Sequence, residues 1–201
     1  PTLKGAGLGI NLSACYVLPI EDSRNGIFNT LRDAVNVQAH GGGTGFNFSN
    51  LRHFGALVKS TNGIASGPVS FMEVYDLAVG KTIAQGGTRQ GANMGILNYN
   101  HPDVEKFIDS KQKDGTLKNF NISVGCKKEF IEAVLNESEY FLVDNKDNPV
   151  KEVNAKEIFE KIAHNAWVSG DPGIIFLDTI DRDNPTPHIG KIVATNPCGE
   201  Q

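Results

Sequence analysis

The sequence has no run of about 18 apolar residues, which is the length that a membrane-spanning helix needs. Its first residues, PTLKGAGLGI, lack the basic start and apolar centre of a secretory signal peptide. Basic residues are not in excess, since the formal net charge is -4, so the chain offers no electrostatic footprint for a polynucleotide. These absences predict a cytoplasmic protein that works with neither a membrane nor a nucleic-acid polymer.

Cysteine is scarce and widely spaced, with three residues in the chain, Cys15, Cys126 and Cys198. An odd number without CxxC pairs excludes both a secreted disulfide framework and the usual zinc site. We therefore expect reduced thiols, either buried or reactive. The five histidines show no metal-ligand spacing with each other or with the cysteines, and we expect surface or capping residues. No metal site is predicted.

The chain has 201 residues, of which 39% are hydrophobic and 21% charged, as in a soluble globular protein with a substantial core. It begins without methionine and ends at GEQ with neither a helix end nor a polar tail, which we interpret as a fragment of a longer protein. No fixed repeat or linker-like segment divides it. Residues 1–201 are therefore predicted to form one unit.

Apolar periodicity and helix punctuation predict an α/β fold. Five helices are expected, and Asn154 is the predicted N-cap of the last, which should bury Trp167. Between the helices lie short apolar and β-branched runs, CYVLPI, MGIL, NISVGC, YFLVD and GIIFLD, which predict strands. Because strands that alternate with helices need crossover connections, most of the pairing should be parallel. The stretch VDNKDNPVKEV is predicted to be a small hairpin.

Three glycine-rich stretches, HGGGTGFNF, STNGIASGPVSF and QGGTRQGANMG, lie next to predicted helices or strands. Glycine there permits positive φ or a close approach of the backbone to a ligand. Each alone is more often a tight turn, but three in one α/β unit suggest a binding face. The GKT triplet at Gly80 is not a P-loop, because Tyr75 replaces the required glycine and the triplet lies inside a predicted helix.

The last residues, ATNPCGEQ, place an amide, a thiol and a carboxylate at alternate positions, Asn196, Cys198 and Glu200. In extended or loop backbone, residues two apart point to the same side, so all three groups could face one small molecule. A carboxylate beside a thiol disfavours the thiolate, which argues against a thiol hydrolase and suggests hydrogen-atom chemistry. For an isolated cysteine, the alternative is a buried structural thiol.

The end of the chain, with NLSACYVLPIEDS, GGGTGFNFSNLR, STNGIASGPVSFMEVYD, QGGTRQGANMGIL, HPDVEKFI, NFNISV and GDPGIIFLD, resembles the catalytic core of ribonucleotide reductases. These segments occur in the family's order along the whole chain, and NPCGEQ is most similar to the adenosylcobalamin-dependent class. The resemblance implies a ten-stranded α/β barrel with a central finger loop. This chain would supply the first half of the barrel and the cysteine of the loop.

The same resemblance implies roles for the end of the chain. Cys198 would carry the thiyl radical that removes the 3′-hydrogen of a ribonucleotide. Glu200 would be the general base on the 3′-hydroxyl, a proton transfer that eases loss of the 2′-hydroxyl as water. Asn196 would hydrogen-bond to the ribose hydroxyls and hold them in reacting geometry.

Cys15 lies where the family has one of two reducing thiols, which would end in a disulfide and be regenerated by a thioredoxin-like reductant. The second reducing cysteine has no match in the chain, and we expect Cys126 to be structural. The chain alone should therefore not complete a turnover. Thr2 and Ala14 match positions near the ribonucleotide substrate.

The family is regulated by a deoxynucleoside triphosphate bound at a subunit interface. By resemblance, Asp22 would contact the effector's deoxyribose and Arg52 its phosphates. The stretch GGTRQGANMG matches the loop that relays effector identity to the substrate base. It includes the remaining predicted effector residues, Gly86, Gly87, Thr88, Arg89 and Gly91. Two arginines often occupy the positions of Arg89 and Gln90, so a contact there is open.

Two alternatives to an adenosylcobalamin-dependent enzyme are considered. One is a reductase large subunit that uses a separate radical-generating subunit. The other is a non-catalytic nucleotide-binding module that uses the glycine loops and arginines for phosphates and the thiols for packing. A homodimer, the choice between diphosphate and triphosphate substrates, and the identity of the reductant are left open.

Overall fold

The main sheet of the computed structural model has five strands, paired in chain order and all parallel. The structure describes residues 13–59, 61–83, 91–113 and 115–200, so Thr2 and the stretch from Gly86 to Arg89 lie outside the described residues. The bounds of the five strands are Cys15–Val17 (β1), Gly43–Asn47 (β2), Asn93–Asn98 (β5), Phe120–Cys126 (β6) and Gly173–Phe176 (β9), numbered with the four strands of two smaller pairs described below. The predicted α/β class and parallel pairing are confirmed.

Six helices occur within the described residues. In chain order, α1 to α6, they are Arg24–Ala39, Pro68–Ala78, Val104–Ile108, Lys128–Leu135, Ala155–Ser169 and Leu177–Arg182. Their starts follow local chemistry: the Ser23 hydroxyl accepts from Gly26 N, and the Asn154 side chain accepts from Lys156 N and Glu157 N. The predicted N-cap of α5 is therefore confirmed. A π-helical turn, Val79–Ile83, extends α2 toward the sheet.

The core lies between the sheet and the helices. Phe46 and Phe120 of the sheet, Phe48 just after β2 and Tyr75 of α2 form one aromatic cluster, with the Phe46 and Tyr75 ring centroids 5.3 Å apart at 87°. The Tyr75 hydroxyl donates to the Ile27 carbonyl of α1 at 2.6 Å, so burial of the ring leaves no polar atom unsatisfied there. This cluster fixes α1 and α2 against the strand that borders the candidate site.

Two small antiparallel pairs are attached to this framework. Leu57–Val58 and Gly63–Ile64 form β3 and β4, and Glu139–Val143 and Pro149–Asn154 form β7 and β8. The predicted hairpin around residues 143–153 is confirmed, and YFLVD belongs to it rather than to the parallel sheet. The Val143 amide donates to the Asn100 carbonyl at 2.7 Å, which ties the hairpin to the end of β5.

Two local expectations are wrong, and a third is confirmed in one of its two forms. Trp167 is 83% exposed, because it lies outside the buried stripe of α5, which consists of Ala155, Ile158, Ile162 and Asn165. His101 is not at the surface, being 3% exposed, but it is a capping residue, since its Nδ1 accepts from Asp103 N at the start of α3 at 3.0 Å. Its Nε2 lies 2.9 Å from the Leu51 carbonyl, and burial lowers its pKa. The stretch GTGFN, interpreted as part of a glycine loop, is the second strand of the sheet. None of the described helices is long and apolar enough to cross a membrane.

Candidate active site

The segment from Val193 to Cys198 lies across one face of the main sheet. Side chains alternate along β2: Thr44 and Phe46 point to the helices and are fully buried, whereas Gly43, Gly45 and Asn47 face this segment. From β5, Met94 and Ile96 pack against Ala194. The chain therefore returns across one face of its own sheet just before Cys198.

The two glycines of β2 allow this segment to lie directly on the sheet. A Cβ on Gly45 would overlap the Thr195 carbonyl oxygen. A Cβ on Gly43 would lie 2.9 Å from Pro197 Cγ and 3.2 Å from Cys15 Sγ. Since Pro197 Cγ and Cys15 Sγ both lie beside this Cβ position, the structure brings the Cys15 thiol and the residue before Cys198 together on one side of β2.

The segment ends in a tight turn that presents Cys198. Gly199 N donates to the Asn196 carbonyl at 3.1 Å, and Gly199 has a φ of 83°, a left-handed conformation that favours glycine. Cys198 and Glu200 are exposed, but Asn196 is 0% exposed. The backbone is thus turned rather than extended, and burial separates the Asn196 side chain from the two exposed groups.

Side-chain amides hold the segment at both ends. Asn47 Nδ2 donates to the Val193 carbonyl at 2.7 Å, and Asn121 Nδ2 donates to the Pro197 carbonyl at 2.7 Å. Neither residue carries a signal in the sequence that points to this contact. The NISVGC segment, which begins at Asn121, did predict a strand, but its register against the segment at 193–198 depends on tertiary structure.

The other predicted residues around this face have separate environments. The Ala14 carbonyl, directly before β1, accepts from Gly43 N at 2.8 Å, so its backbone is part of the sheet. Cys126 lies at the end of β6, fully buried, and burial raises the pKa of its thiol to about 12. A thiol in that environment stays protonated and inert, in agreement with the structural role expected for it.

A second polar site lies at the N-terminal end of α1. The Arg52 guanidinium binds the Asp22 carboxylate, with Nη2 and Nε each 2.9 Å from Oδ2. Asn145, in the turn of the β7–β8 hairpin, donates from Nδ2 to the same oxygen at 2.9 Å. The structure therefore brings the two predicted effector residues together as an ion pair and adds an amide from a distant segment.

A cavity of about 830 Å³ adjoins this ion pair. Its lining includes four basic residues and two acidic residues: Arg24, Arg52, Lys59, Lys146, Asp22 and Asp144. Apolar side chains such as Phe28 and Phe71 complete the wall. The combination suits a ligand with an anionic tail and a flat apolar part. Sequence reasoning missed Arg24, Lys59 and Lys146, although Lys59 lies directly beside a glycine-rich stretch that it did single out.

A buried amide cluster connects α1 to the start of β5. Gln38 Nε2 donates to Thr44 Oγ1 and to Asn93 Oδ1, each at 2.6 Å. A Cβ on Gly91 would overlap Gln38 Oε1, so this predicted effector residue packs directly against the cluster. Within the described residues, Gln38 Oε1 and Asn93 Nδ2 have no hydrogen-bond partner. The cluster therefore borders the relay stretch of which only Gly91 onward is described.

Comparison with known proteins gives consistent results. Residues 13–201 match the family model described as ribonucleotide reductase, barrel domain. The chain is 50% identical over 204 residues to the vitamin B12-dependent ribonucleoside-diphosphate reductase of Thermoplasma acidophilum, covering 100% of this chain and 26% of that protein. It is 47% identical over 203 residues to the protein of the same name from Mycobacterium tuberculosis, covering 100% and 29%.

A more distant relative carries a different name. The ribonucleoside-diphosphate reductase subunit alpha of Synechocystis is 28% identical over 229 residues, covering 96% of this chain and 30% of that protein. The chain thus spans less than a third of the length of each of these three relatives.

Proposed function

The chain belongs to the ribonucleotide reductase barrel-domain family, and from this premise we propose that it is part of a longer enzyme that reduces ribonucleotides to deoxyribonucleotides. That longer enzyme is called the full-length protein. The proposal rests on one observation above all. Cys15 Sγ and the ring of Pro197 both lie beside the position of a Gly43 Cβ, so the Cys15 thiol and the residue that precedes Cys198 converge on one face of a parallel sheet.

The convergence suits thiol chemistry on a bound ribose. Cys198, exposed at the tip of a turn, is proposed to carry a radical that removes the 3′-hydrogen. Glu200, also exposed and two residues away, is proposed as the base that takes the proton of the 3′-hydroxyl. The ribose contact expected of Asn196 stays a prediction, because that side chain is buried. Thr2 and the Ala14 backbone are proposed to line the substrate side.

Cys15 is proposed as one of two thiols that supply the electrons. Reduction of one ribonucleotide consumes two thiols, releases water and leaves a disulfide, so the full-length protein must provide a second cysteine near Cys15. A thioredoxin-like protein is the proposed reductant, and the cytoplasm, where thiols are kept reduced, is the proposed location. Within the chain, Cys126 is unsuitable as the partner, because it is buried at the end of β6.

The strand order supports a barrel. Consecutive parallel strands are added on the same side each time, β1, β2, β5, β6 and β9, with no reversal of direction. A sheet that winds in one direction with right-handed crossovers can close on itself, whereas doubly wound sheets reverse. We propose that residues 1–201 form one unit of about half a ten-stranded barrel, with the turn at Cys198 as the tip of its central loop.

Adenosylcobalamin is the proposed cofactor, since several relatives are named as vitamin B12-dependent. The described residues offer no fit for it: the cavity at Arg52 does not include Cys198 in its lining, and a corrin needs a broad apolar surface. We therefore assign no residue of this chain to holding the cofactor. Our proposal for the chain concerns the thiols, the base and the nucleotide alone.

The proposed activity is tested by incubating the full-length protein with a ribonucleoside diphosphate or triphosphate, adenosylcobalamin and dithiothreitol, and measuring deoxyribonucleotide by chromatography. Product is expected without a second protein. Product that forms only after addition of a metal-containing subunit would favour the alternative type of reductase. Nucleotide binding without any product under either condition would favour the non-catalytic module.

The cavity beside Arg52 is proposed to bind a deoxynucleoside triphosphate that selects the substrate base. Its excess of basic residues suits a triphosphate, and the Asp22 carboxylate can accept a hydrogen bond from the hydroxyl of a deoxyribose. In the structure, the Arg52 guanidinium is already paired with the Asp22 carboxylate. Effector binding would therefore divide the guanidinium donors between the carboxylate and the phosphates. A homodimer with this cavity at its interface is part of the proposal.

Arg52→Ala is expected to weaken binding of the deoxynucleoside triphosphate by about 10- to 100-fold, since a hydrogen bond to a charged group contributes roughly 1.5–3 kcal/mol. Arg32→Ala is the control: Arg32 lies on α1, pairs with its neighbour Asp33 and is absent from the cavity lining. Equilibrium dialysis of the full-length variants provides the measurement. Equal affinities in wild type and Arg52→Ala would overturn the assignment of this cavity.

A further inference from the structure

We propose that Asn121 is a positioning residue for Cys198, acting through the carbonyl group of Pro197; this inference rests on the proposed function. Asn121 Nδ2 donates to the Pro197 carbonyl oxygen at 2.7 Å. That carbonyl belongs to the peptide group whose nitrogen is Cys198 N. The hydrogen bond therefore fixes the orientation of the peptide plane that leads to the Cys198 Cα, from which the thiol side chain extends.

Backbone chemistry makes this contact decisive for the thiol. The pyrrolidine ring locks φ of Pro197, so the plane of the next peptide turns mainly about ψ of Pro197. The Pro197 ring is buried against the position of a Gly43 Cβ, which leaves little freedom of translation. Asn121 supplies the remaining restraint, on rotation. Cys198 itself is exposed, so packing of its own side chain cannot supply it.

The strand that carries Asn121 is itself anchored on both sides of that residue. Lys111 Nζ donates to the Phe120 carbonyl at 2.5 Å and pairs with Asp171 Oδ2 at 2.7 Å. Asp171 Oδ1 accepts from Ile122 N at 3.2 Å. The side chains of this ion pair are 17% and 18% exposed, so solvent screens it only partly. The Lys111–Asp171 ion pair thus holds the backbone groups on both sides of Asn121.

The position of Asn121 on its strand also favours a role at the site. Phe120 and Ile122 point to the helices and are buried, and Asn121 between them points to the opposite face and is exposed. Apart from its hydrogen bond, the side chain contributes little to the core. Its loss should therefore affect the geometry of Cys198 more than the stability of the fold.

The test compares Asn121→Asp with Asn47→Asp in the full-length protein. Both replacements keep the size of the side chain and remove an amide donor that holds a carbonyl of the same segment, Pro197 in one case and Val193 in the other. For Asn121→Asp we expect kcat to fall roughly 10- to 100-fold, as for a reacting group displaced by about 1 Å, with an unchanged KM for the ribonucleotide. For Asn47→Asp we expect a much smaller fall.

A second measurement needs no turnover and separates this inference from the proposed function. The alkylation rate of Cys198 by iodoacetamide, followed by peptide mass spectrometry, should change severalfold in Asn121→Asp and stay near the wild-type rate in Asn47→Asp. If the wild-type protein forms no deoxyribonucleotide, the proposed function fails and the alkylation rates still decide the positioning role. Equal kcat and equal alkylation rates in wild type and Asn121→Asp, or equal changes in both variants, would overturn it.

Discussion

Replacement of Cys198 by serine is expected to reduce deoxyribonucleotide formation by the full-length protein to background. Serine keeps the size and polarity of the side chain, but its hydroxyl does not support the sulfur-centred radical that the proposed reaction needs. Because Cys198 is exposed, the stability of the fold should change by no more than about 0.5 kcal/mol. The measurement is product formation, alongside thermal unfolding to show that the variant is folded.

Cys126→Ala is the matched control for that result. Cys126 is fully buried and its pKa is raised to about 12, so its thiol is not available for reaction. The variant should lose about 0.5–3 kcal/mol of stability through a small cavity, yet retain activity when folded. Retained reduction in Cys198→Ser would contradict the proposed radical position. Loss of reduction in a folded Cys126→Ala protein would contradict the distinction between the two cysteines.

Gly45→Ala is expected to have the second largest effect. Its Cβ would overlap the backbone carbonyl oxygen of Thr195, and backbone cannot move aside as a flexible side chain can. The segment from Thr195 to Cys198 would be lifted off β2, at a cost of roughly 1–3 kcal/mol for overpacking. Displacement of the Cys198 turn by about 1 Å should lower kcat by about 100-fold.

The control for this prediction is Gly63→Ala, in the small β3–β4 pair. A Cβ on Gly63 would meet only Thr61 Oγ1, at 3.4 Å, which is an ordinary contact. We expect unchanged kcat and unchanged or slightly higher stability, because alanine restricts the unfolded chain. Steady-state kinetics and thermal unfolding of both variants provide the comparison. Gly45→Ala with wild-type kcat would show that close packing of the segment on β2 is not needed for activity.

Local signals predicted much of the framework. Asn154 was recognisable as an N-cap because a short polar side chain precedes an amphipathic run, and α5 begins after it. Short runs of apolar and β-branched residues likewise predicted the strands β5, β6 and β9. The strand at Gly43–Asn47 was missed because its glycines suggested a loop. They are needed there for contact with Thr195 and Pro197, residues about 150 positions away in sequence, which no local pattern reveals.

The candidate site was predictable in its parts but not in its geometry. Resemblance selected Cys15, Cys198 and Glu200, and the structure places Cys15 beside the residue that precedes Cys198. The common orientation expected for Asn196, Cys198 and Glu200 stays a prediction: the chain turns at Gly199, and Asn196 is buried whereas the other two residues are exposed. Asn121 was not identified at all. Its partner is a backbone carbonyl, which has no signature in the amino-acid sequence.

For the polar site at Asp22 and Arg52, the residues were likewise predictable but their contacts were not. Resemblance pointed to Asp22 and Arg52 separately, one for a sugar and the other for phosphates. The structure joins them in an ion pair and adds Asn145 from a hairpin, 123 residues after Asp22. Such a pair depends on how α1 and the hairpin pack, and the sequence pattern of neither element contains that information.

The most direct test of this account is a single turnover of the full-length protein without external reductant, followed by peptide mapping of its cysteines. One ribonucleotide reduced per site requires two thiols to become one disulfide. We predict that Cys15 is recovered in a disulfide with a cysteine outside this chain, and that Cys126 and Cys198 are recovered as free thiols. Stoichiometric product with Cys15 still a free thiol, or with Cys198 in the disulfide, would contradict the account.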